Sequence, residues 1–379
     1  MKFNYYLPVH LIFGRGEVNR IGEIAGAYGK KALIVTGQNS TKKSGLLDRV
    51  TDLLKKAGVE TAVFDQVRQN PLTTTAKEGA LAAKEQGCGV VIGLGGGSIL
   101  DCAKAIAFLA VNDGDINDYI FNRITGNDAL PLILVPTTCG TGSEGNGFAV
   151  LTNPETGDKK SLRSDKIIAK ASIIDSELME TMPGSVLSAV GFDALCHSME
   201  AYLSKLAQPV TDLLCVQAMK AIGSSLVSLY QGTGGADMWD AVTWASTMGG
   251  MVIHTAGVTL PHAMEHPASG CRNIVHGRGL AALTPAITES SINAAPGRYA
   301  VISQCLGGKD ERDCAAQIRK LLKELELSAA LKEQGITKED IPWMTENCFK
   351  VSAAGIANHP KLFEKKEVEK LYERALEGV

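Results

Sequence analysis

No CxxC pair occurs among the nine cysteines, and nine is an odd number. That argues against a disulfide framework and reads as reduced thiols in a cytoplasmic protein. Basic residues are not in excess: 38 Lys and Arg stand against 41 Asp and Glu, for a net charge of −3. Nothing in that balance points to nucleic acid or to an anionic membrane surface. The N-terminus, MKFNYYLPVHLIFGRG, lacks the long apolar core and small-residue cleavage site of a signal peptide. Internal repeats and low-complexity linkers are missing as well. One stretch, 241–261, carries no Asp, Glu, Lys or Arg and is long enough to span a bilayer. It contains four threonines and His254 and runs straight into a histidine cluster, so it is expected to be a buried helix and not a membrane span. Histidine is scarce, with seven in 379 residues.

Those few histidines are concentrated. His254, His262, His266 and His276 fall within 23 residues. Upstream, GFDALCHSMEAY places Asp193 four residues before His197. On a helix that spacing puts both side chains on one face, about one turn apart. Asp193, His197, His262 and His276 together offer three imidazoles and one carboxylate, a good donor set for a divalent ion such as ferrous iron or zinc. A lone Asp-x-x-x-His reads more readily as a buried polar pair; the downstream cluster gives the metal reading its weight. His266 shares a face with His262 if that segment is helical. It reads as a proton relay, with a fifth ligand or a packed core histidine as alternatives. Cys196 is expected to point away from the metal, into the core. His10 and His359 read as isolated surface residues.

The length suggests two domains. Up to residue 183, strand and helix patterns alternate. KALIVT (31–36), VETAVFD (59–65), VVIGL (90–94) and LPLILVP (130–136) read as strands. Segments 44–58, 74–87 and 98–110 read as helices between them. Continuous apolar strands suit a parallel sheet buried on both faces. The first domain, 1–183, is therefore expected to be a doubly wound α/β dinucleotide-binding domain. AVLTNPETGDKKSL (149–162) reads as a hairpin around Asn153-Pro154 and Gly157. After Met182-Pro183-Gly184 the pattern turns helical, with helices near 185–204, 209–230, 237–256 and 278–292. Residues 184–379 are expected to form an all-α metal-binding domain.

Two glycine-rich loops follow apolar strands. Gly95-Gly96-Gly97-Ser98 opens a helix, where backbone amides and the helix dipole favour a pyrophosphate. The loop does not match G-x-G-x-x-G, which disfavours an ordinary Rossmann dehydrogenase. Asp101 and Lys104 lie on the first turns of that helix, either as cofactor neighbours or as solvated residues. The second loop, 136–144, carries Thr137, Thr138 and Cys139. Its hydroxyls can bind phosphate, ribose or a carboxamide, and Cys139 has no paired base to make it a nucleophile. After the first strand, Gly37, Ser40, Thr41, Lys42 and Lys43 form a loop without an acid. An acid there would bind the ribose of NAD and repel the 2′-phosphate of NADP; its lack favours NADP slightly over NAD.

These motifs resemble the iron-containing (group III) alcohol dehydrogenases. The matching pieces are G-G-G-S-x-x-D-x-A-K at 95–104, P-T-T-x-G-T-G-S-E at 136–144, G-x-D-A-L-x-H-x-x-E at 191–200, and His262, His266 and His276. They occur in family order along essentially the whole chain. The resemblance implies an active site in the cleft between the two domains. It implies Asp193, His197, His262 and His276 as metal ligands and His266 close to substrate. It implies Gly95, Gly96, Gly97, Ser98, Thr137 and Thr138 as cofactor residues, with Asn70, Lys160 and Leu178 as weaker matches. Relatives in this superfamily carry iron or zinc. One departure concerns the segment before His276, ASGCRNIV, which contains Arg272 where the family reads apolar. With His254 it suggests a polar or cationic pocket.

The expected function is a metal-dependent, NAD(P)-linked alcohol dehydrogenase or aldehyde reductase. Its substrate would be small and polar, and the enzyme a cytoplasmic homodimer or higher homo-oligomer. One alternative is a dehydroquinate-synthase-like lyase or cyclase, which also uses NAD and a metal but needs a basic pocket for a phosphorylated polyol. Another is a catalytically silent metal-binding scaffold.

Overall fold

The computed structural model describes residues 2–327 and 330–378. Its strands are β1 (Leu11–Phe13), β2 (Lys31–Gly37), β3 (Glu60–Val67), β4 (Val90–Gly95), β5 (Leu132–Pro136), β6 (Phe148–Thr152), β7 (Lys159–Arg163) and β8 (Ala171–Ile174). Six of them form one sheet in the order β1-β8-β5-β4-β2-β3, and every pairing is parallel. The central strands β4 and β5 are buried along their whole length, which is why their sequences are uninterrupted apolar runs. β6 and β7 make a separate antiparallel hairpin, as expected from the turn residues between them. The short strands β1 and β8 escape a reading based on long apolar runs.

Helices α1 (Ile21–Gly26), α2 (Ser40–Lys43), α3 (Leu46–Lys56), α4 (Thr73–Glu85), α5 (Gly97–Leu109) and α6 (Ile116–Ile120) connect and cover the strands. α3 buries Leu46, Leu47, Val50 and Leu54 and turns Asp48, Arg49 and Lys55 outward, the usual division of a surface helix. α5 is apolar on nearly every side because it lies between β4 and the hairpin strand β6. Its one buried cation, Lys104, locks this arrangement. Lys104 Nζ donates to Ser143 O at 2.6 Å, Phe148 O at 2.7 Å and Asn146 Oδ1 at 3.0 Å. Burial pulls the Lys104 amine down to about 8.

From Gly184 onward the described residues form helices and no strand: α7 (Gly184–Leu203), α8 (Pro209–Tyr230), α9 (Ala236–Ala256), α10 (Leu260–Arg272), α11 (His276–Ser291), then five more α-helices between Pro296 and Glu377. α7, α8 and α9 pack on one another. α8 is long and apolar enough, by length and composition, to cross a bilayer; here it lies against α7 and α9. The uncharged stretch 241–261 is the buried α9 and its exit. Gly249 brings α9 against α7: a Cβ there would meet His197 Cβ at 3.3 Å. α10 is helical throughout although Pro267 lies within it, so the condition for His262 and His266 to share a face is met. Pro261 occupies the first turn, where a missing N–H costs nothing.

His359 corrects an expectation. It is buried, not on the surface, and its Nε2 pairs with Ser291 Oγ at 2.8 Å. That partner comes from α11, far away in sequence. His10 is exposed, as expected.

Candidate active site

α7 carries Asp193, His197 and Glu200 at positions i, i+4 and i+7, which lie along one helical face. α10 carries His262, Glu265, His266 and Ser269 with the same kind of spacing, and α11 begins at His276. Where these faces meet, the Nε2 atoms of His262, His197 and His276 stand 3.3, 3.6 and 3.6 Å from Asp193 Oδ1. The donor atoms of Asp193, His262 and His276 all lie within 4.8 Å of one another. Asp193 Oδ1 and His262 Nε2 are buried and make no hydrogen bond. Four tetrahedral donors about 2.1 Å from one ion would sit roughly 3.4 Å apart. The spacing around Asp193 therefore fits a bound cation, and its unsatisfied atoms are those a cation would satisfy.

Two of the three imidazoles are held from behind by a carboxylate, whereas His197 Nδ1 is buried without a partner among the described residues. Glu200 Oε1 takes the proton of His262 Nδ1 at 2.6 Å, while Oε2 accepts from Thr259 N at 2.7 Å. Glu265, fully buried, lies against His276 Nδ1. Such contacts set the tautomer and leave Nε2 lone pairs for a metal. Sequence reasoning assigned neither glutamate, although helical spacing already put Glu200 on the Asp193 face.

The electrostatics favour a positive charge at this point, whether a proton or a metal ion. Burial opposes charge on Asp193, but His197, His276 and His262 outweigh it and hold the carboxyl well below its usual range. Burial likewise opposes charge on His262, yet Glu200 and Asp193 raise it to about 10. Burial keeps His197 neutral, at about 4. Three buried carboxylates thus surround the imidazoles, and Lys159 is the one lysine paired into them.

The cluster opens into a cleft of about 820 Å³. Gly97, Ser98, Asp101 and Thr141 line one part of it, and the metal-site residues with His266 line another. A second cleft, at the carboxyl ends of β2 and β5, is lined by Ser40, Thr41, Thr137 and Leu178 among others. Ligands of parallel α/β sheets bind at such strand ends. Gly97 must be glycine for packing alone, since a Cβ would meet Thr141 Cγ2 at 2.2 Å. Gly97 and Ser98, at the N-terminus of α5, border the cleft, where a helix end favours an anion. Gly95 and Gly96 lead into that turn and pack on Ile99 and Thr138. Asp101 is not solvated: it accepts from Ser143 Oγ at 2.6 Å and Val150 N at 3.0 Å. Burial pushes the Cys139 thiol up to about 12, which suits a core residue and not a nucleophile. Cys196 is likewise buried, beside Thr284.

Other expectations need correction. Arg272 does not enter the cleft. Its guanidinium is exposed and makes a two-pronged ion pair with Asp340, Nη2–Oδ1 2.7 Å and Nε–Oδ2 3.0 Å. His254 does not line the cleft either. It accepts from Gly147 N at 3.3 Å and backs Phe148, while its neighbour Ile253 faces inward. Lys160 lies outside both clefts, because β7 alternates: Lys159, Ser161 and Arg163 face the cleft, and Lys160 donates to Val351 O at 2.7 Å. Asn70 reaches the cleft wall, but its amide is spent on Asn273 Oδ1 and Ile274 O, and its carbonyl oxygen accepts from Lys159 Nζ at 3.0 Å. Lys42 is paired with Asp65 of β3, so an acid stands near the loop that had none of its own.

A parallel sheet of dinucleotide-binding type thus stands beside a three-histidine, one-aspartate cluster suited to a divalent cation. Residues 8–176 match the family model for iron-containing alcohol dehydrogenase, and residues 188–376 match the C-terminal model of the same Fe-containing family. The chain belongs to the iron-containing alcohol dehydrogenase family. Among similar proteins is the 1,3-propanediol dehydrogenase of Klebsiella pneumoniae, 32% identical, with 98% of each chain covered. Another is the sulfoacetaldehyde reductase of Bilophila wadsworthia, 31% identical over the full length of both. An archaeal alcohol dehydrogenase from a Red Sea brine pool has a solved structure with TM-score 0.94 and 33% identity, covering 99% of each chain.

Proposed function

We propose that the protein is a metal-dependent NAD(P)-linked alcohol dehydrogenase, or aldehyde reductase in the reverse direction, acting on a small polar substrate. The observation that carries this reading is the shared cleft: the Asp193 cluster and the Gly97–Ser98 turn line one cavity. A divalent cation at the cluster would supply Lewis acidity toward the alcohol or carbonyl oxygen, and a nicotinamide cofactor would supply the hydride acceptor or donor.

The chain's own residues do the rest. Glu200 and Glu265 hold His262 and His276 in the ligating orientation. Gly97 and Ser98 offer backbone amides to a cofactor phosphate. Phe148, Val150, Ile253 and Val258 give the cleft apolar walls that limit water near the reacting carbon. His266 lines the same cleft, its ring centre 6.1 Å from that of His262 and 6.0 Å from that of His276. Burial holds His266 well below its ordinary pKa, so it is neutral, with one ring nitrogen able to take the substrate proton as the other gives its own proton to water.

Gly37 and the lack of an acid after β2 support NADP over NAD, although Asp65 offsets part of the charge of Lys42. Three imidazoles and a carboxylate suit ferrous iron and zinc alike. The reading includes a cytoplasmic homo-oligomer with free thiols. A lyase or cyclase on a phosphorylated polyol is less well supported, because Lys159 is already committed to Asn70 and Glu265.

The test is a panel of alcohols and aldehydes with NADH and NADPH, on enzyme reconstituted separately with iron and with zinc. Metal-dependent oxidation or reduction of the cofactor is expected. No cofactor turnover with either metal on any substrate would reject the reading.

A further inference from the structure

The hairpin contributes more than apolar wall. β6 and β7 pair so that Phe148 stands opposite Arg163 and Val150 opposite Ser161. All four side chains line the catalytic cleft. The Arg163 guanidinium lies 4.5 Å from the Phe148 ring centre, which holds it in place without neutralising it. Among the described residues it makes no ion pair and no hydrogen bond. The side chain is open to solvent through the cleft mouth, yet the walls desolvate its head enough to lower its pKa. Lys159, on the same face of β7, differs: its ammonium is satisfied by Asn70 and Glu265. Arg163 is thus a pre-positioned cation without a partner, in the cavity where substrate is expected.

We propose that Arg163, with Ser161 beside it, forms a subsite for the anionic tail of an aldehyde or alcohol substrate, namely a carboxylate or sulfonate. This deepens the alcohol dehydrogenase reading and rests on it. The fork of a guanidinium matches two oxygens of such a group, and the Ser161 hydroxyl can serve another. One free cation suits a monoanion. A phosphate dianion would call for a second uncommitted charge, which Lys159 does not provide. The tail bound at β7 leaves the carbonyl end free to point toward the Asp193 cluster. Selectivity then comes from the hairpin and not from the helices that hold the metal.

The experiment compares kcat/KM for succinic semialdehyde and sulfoacetaldehyde with kcat/KM for butanal, in wild type, Arg163→Ala, Arg163→Lys and Arg163→Glu, all metal-loaded. Wild type should prefer the anionic aldehydes, and the stronger of the two identifies the tail. Losing one charge-assisted contact is worth about 10- to 100-fold, so Arg163→Ala should reduce the anionic-to-neutral ratio by that factor. Arg163→Lys should restore part of the ratio, and Arg163→Glu should invert it. Independently of turnover, 4-hydroxybutyrate should raise the Tm of wild type in the presence of oxidised cofactor and leave Arg163→Ala unshifted. An equal loss for anionic and neutral aldehydes in Arg163→Ala would overturn the proposal, as would a higher KM for cofactor with every aldehyde. So would a wild-type ratio near one together with an unchanged 4-hydroxybutyrate shift. If no aldehyde is reduced but the shift is present and depends on Arg163, the anion subsite stands and the dehydrogenase reading fails.

Discussion

Glu200 offers the sharpest test of how the metal centre is built. Both of its oxygens are acceptors: Oε1 for His262 Nδ1 at 2.6 Å, Oε2 for Thr259 N at 2.7 Å. Glu200→Gln keeps the shape and leaves only one accepting oxygen. If the amide oxygen stays with His262, the NH2 group faces the Thr259 N–H. If the amide flips, it faces His262 Nδ1 instead. Either way two donors meet in a buried place, at a cost of about 1–3 kcal/mol. The lost negative charge also makes His262 a weaker ligand. Removing a carboxylate behind a metal-bound histidine typically costs about 10- to 100-fold in metal affinity, or about 1.4–2.7 kcal/mol. Chelator competition should therefore show weaker metal binding by that factor, and the metal-free protein should melt earlier. A cycle with His262→Ala sharpens the test. His262→Ala should remove most of the metal affinity, and Glu200→Gln added to it should change affinity little, because the two residues act as a unit. A Glu200→Gln enzyme that binds metal within twofold of wild type would refute the orientation argument. Additive losses in the double variant would refute it as well.

Three further outcomes are expected. His266→Ala should keep its metal while turnover falls by at most about 100-fold, with the shape of the pH–rate profile unchanged; loss of metal would make His266 a ligand. Gly37→Asp should shift preference from NADP toward NAD by about 1–3 kcal/mol. A Cβ there meets Ile99 Cδ1 at 3.4 Å and Val67 O at 3.6 Å, both ordinary contacts, and an unchanged cofactor ratio would show that this loop does not select. Burial, aided by Lys205 and Lys361 and opposed by Glu200, lowers His359 to about 4. The unfolded chain titrates near 6.5, so it takes up a proton that the folded chain refuses. The stability from neutral His359 is complete above about pH 6.5 and is lost as pH falls toward 4, up to about 3 kcal/mol. In metal-loaded protein, His359→Gln should lose stability less steeply between pH 7 and 5 than wild type, and equal slopes would exclude the effect.

The Asp193–His197 half of the candidate cation site was legible because its information is local. Asp193 and His197 are one helical turn apart, and that holds wherever α7 packs. The same periodicity carried Glu200 and Glu265, but a helical glutamate is ordinarily solvated, and only the packing of α7, α10 and α11 buries these two against histidines. The strands were legible for a similar reason: a run such as VVIGL has no polar side to expose, so it must lie in a sheet covered on both faces. β7 is a different case. In KKSLR every second position is polar on one face, and a cation opens each phase, so alternation alone does not tell which face meets the cleft. A slip of one residue exchanges Lys160 for Lys159 and Ser161. The cation assignment failed on a nonlocal fact. Arg272 and Arg163 are equally basic in the sequence. Arg272 meets Asp340, 68 residues later, and is neutralised there, while among the described residues no carboxylate reaches Arg163. Whether a charge is free for a substrate depends on what the rest of the chain brings to it. Donor identity and helical spacing therefore locate the chemistry from sequence, but the tail specificity of the cleft follows from which cation the tertiary structure leaves unpaired.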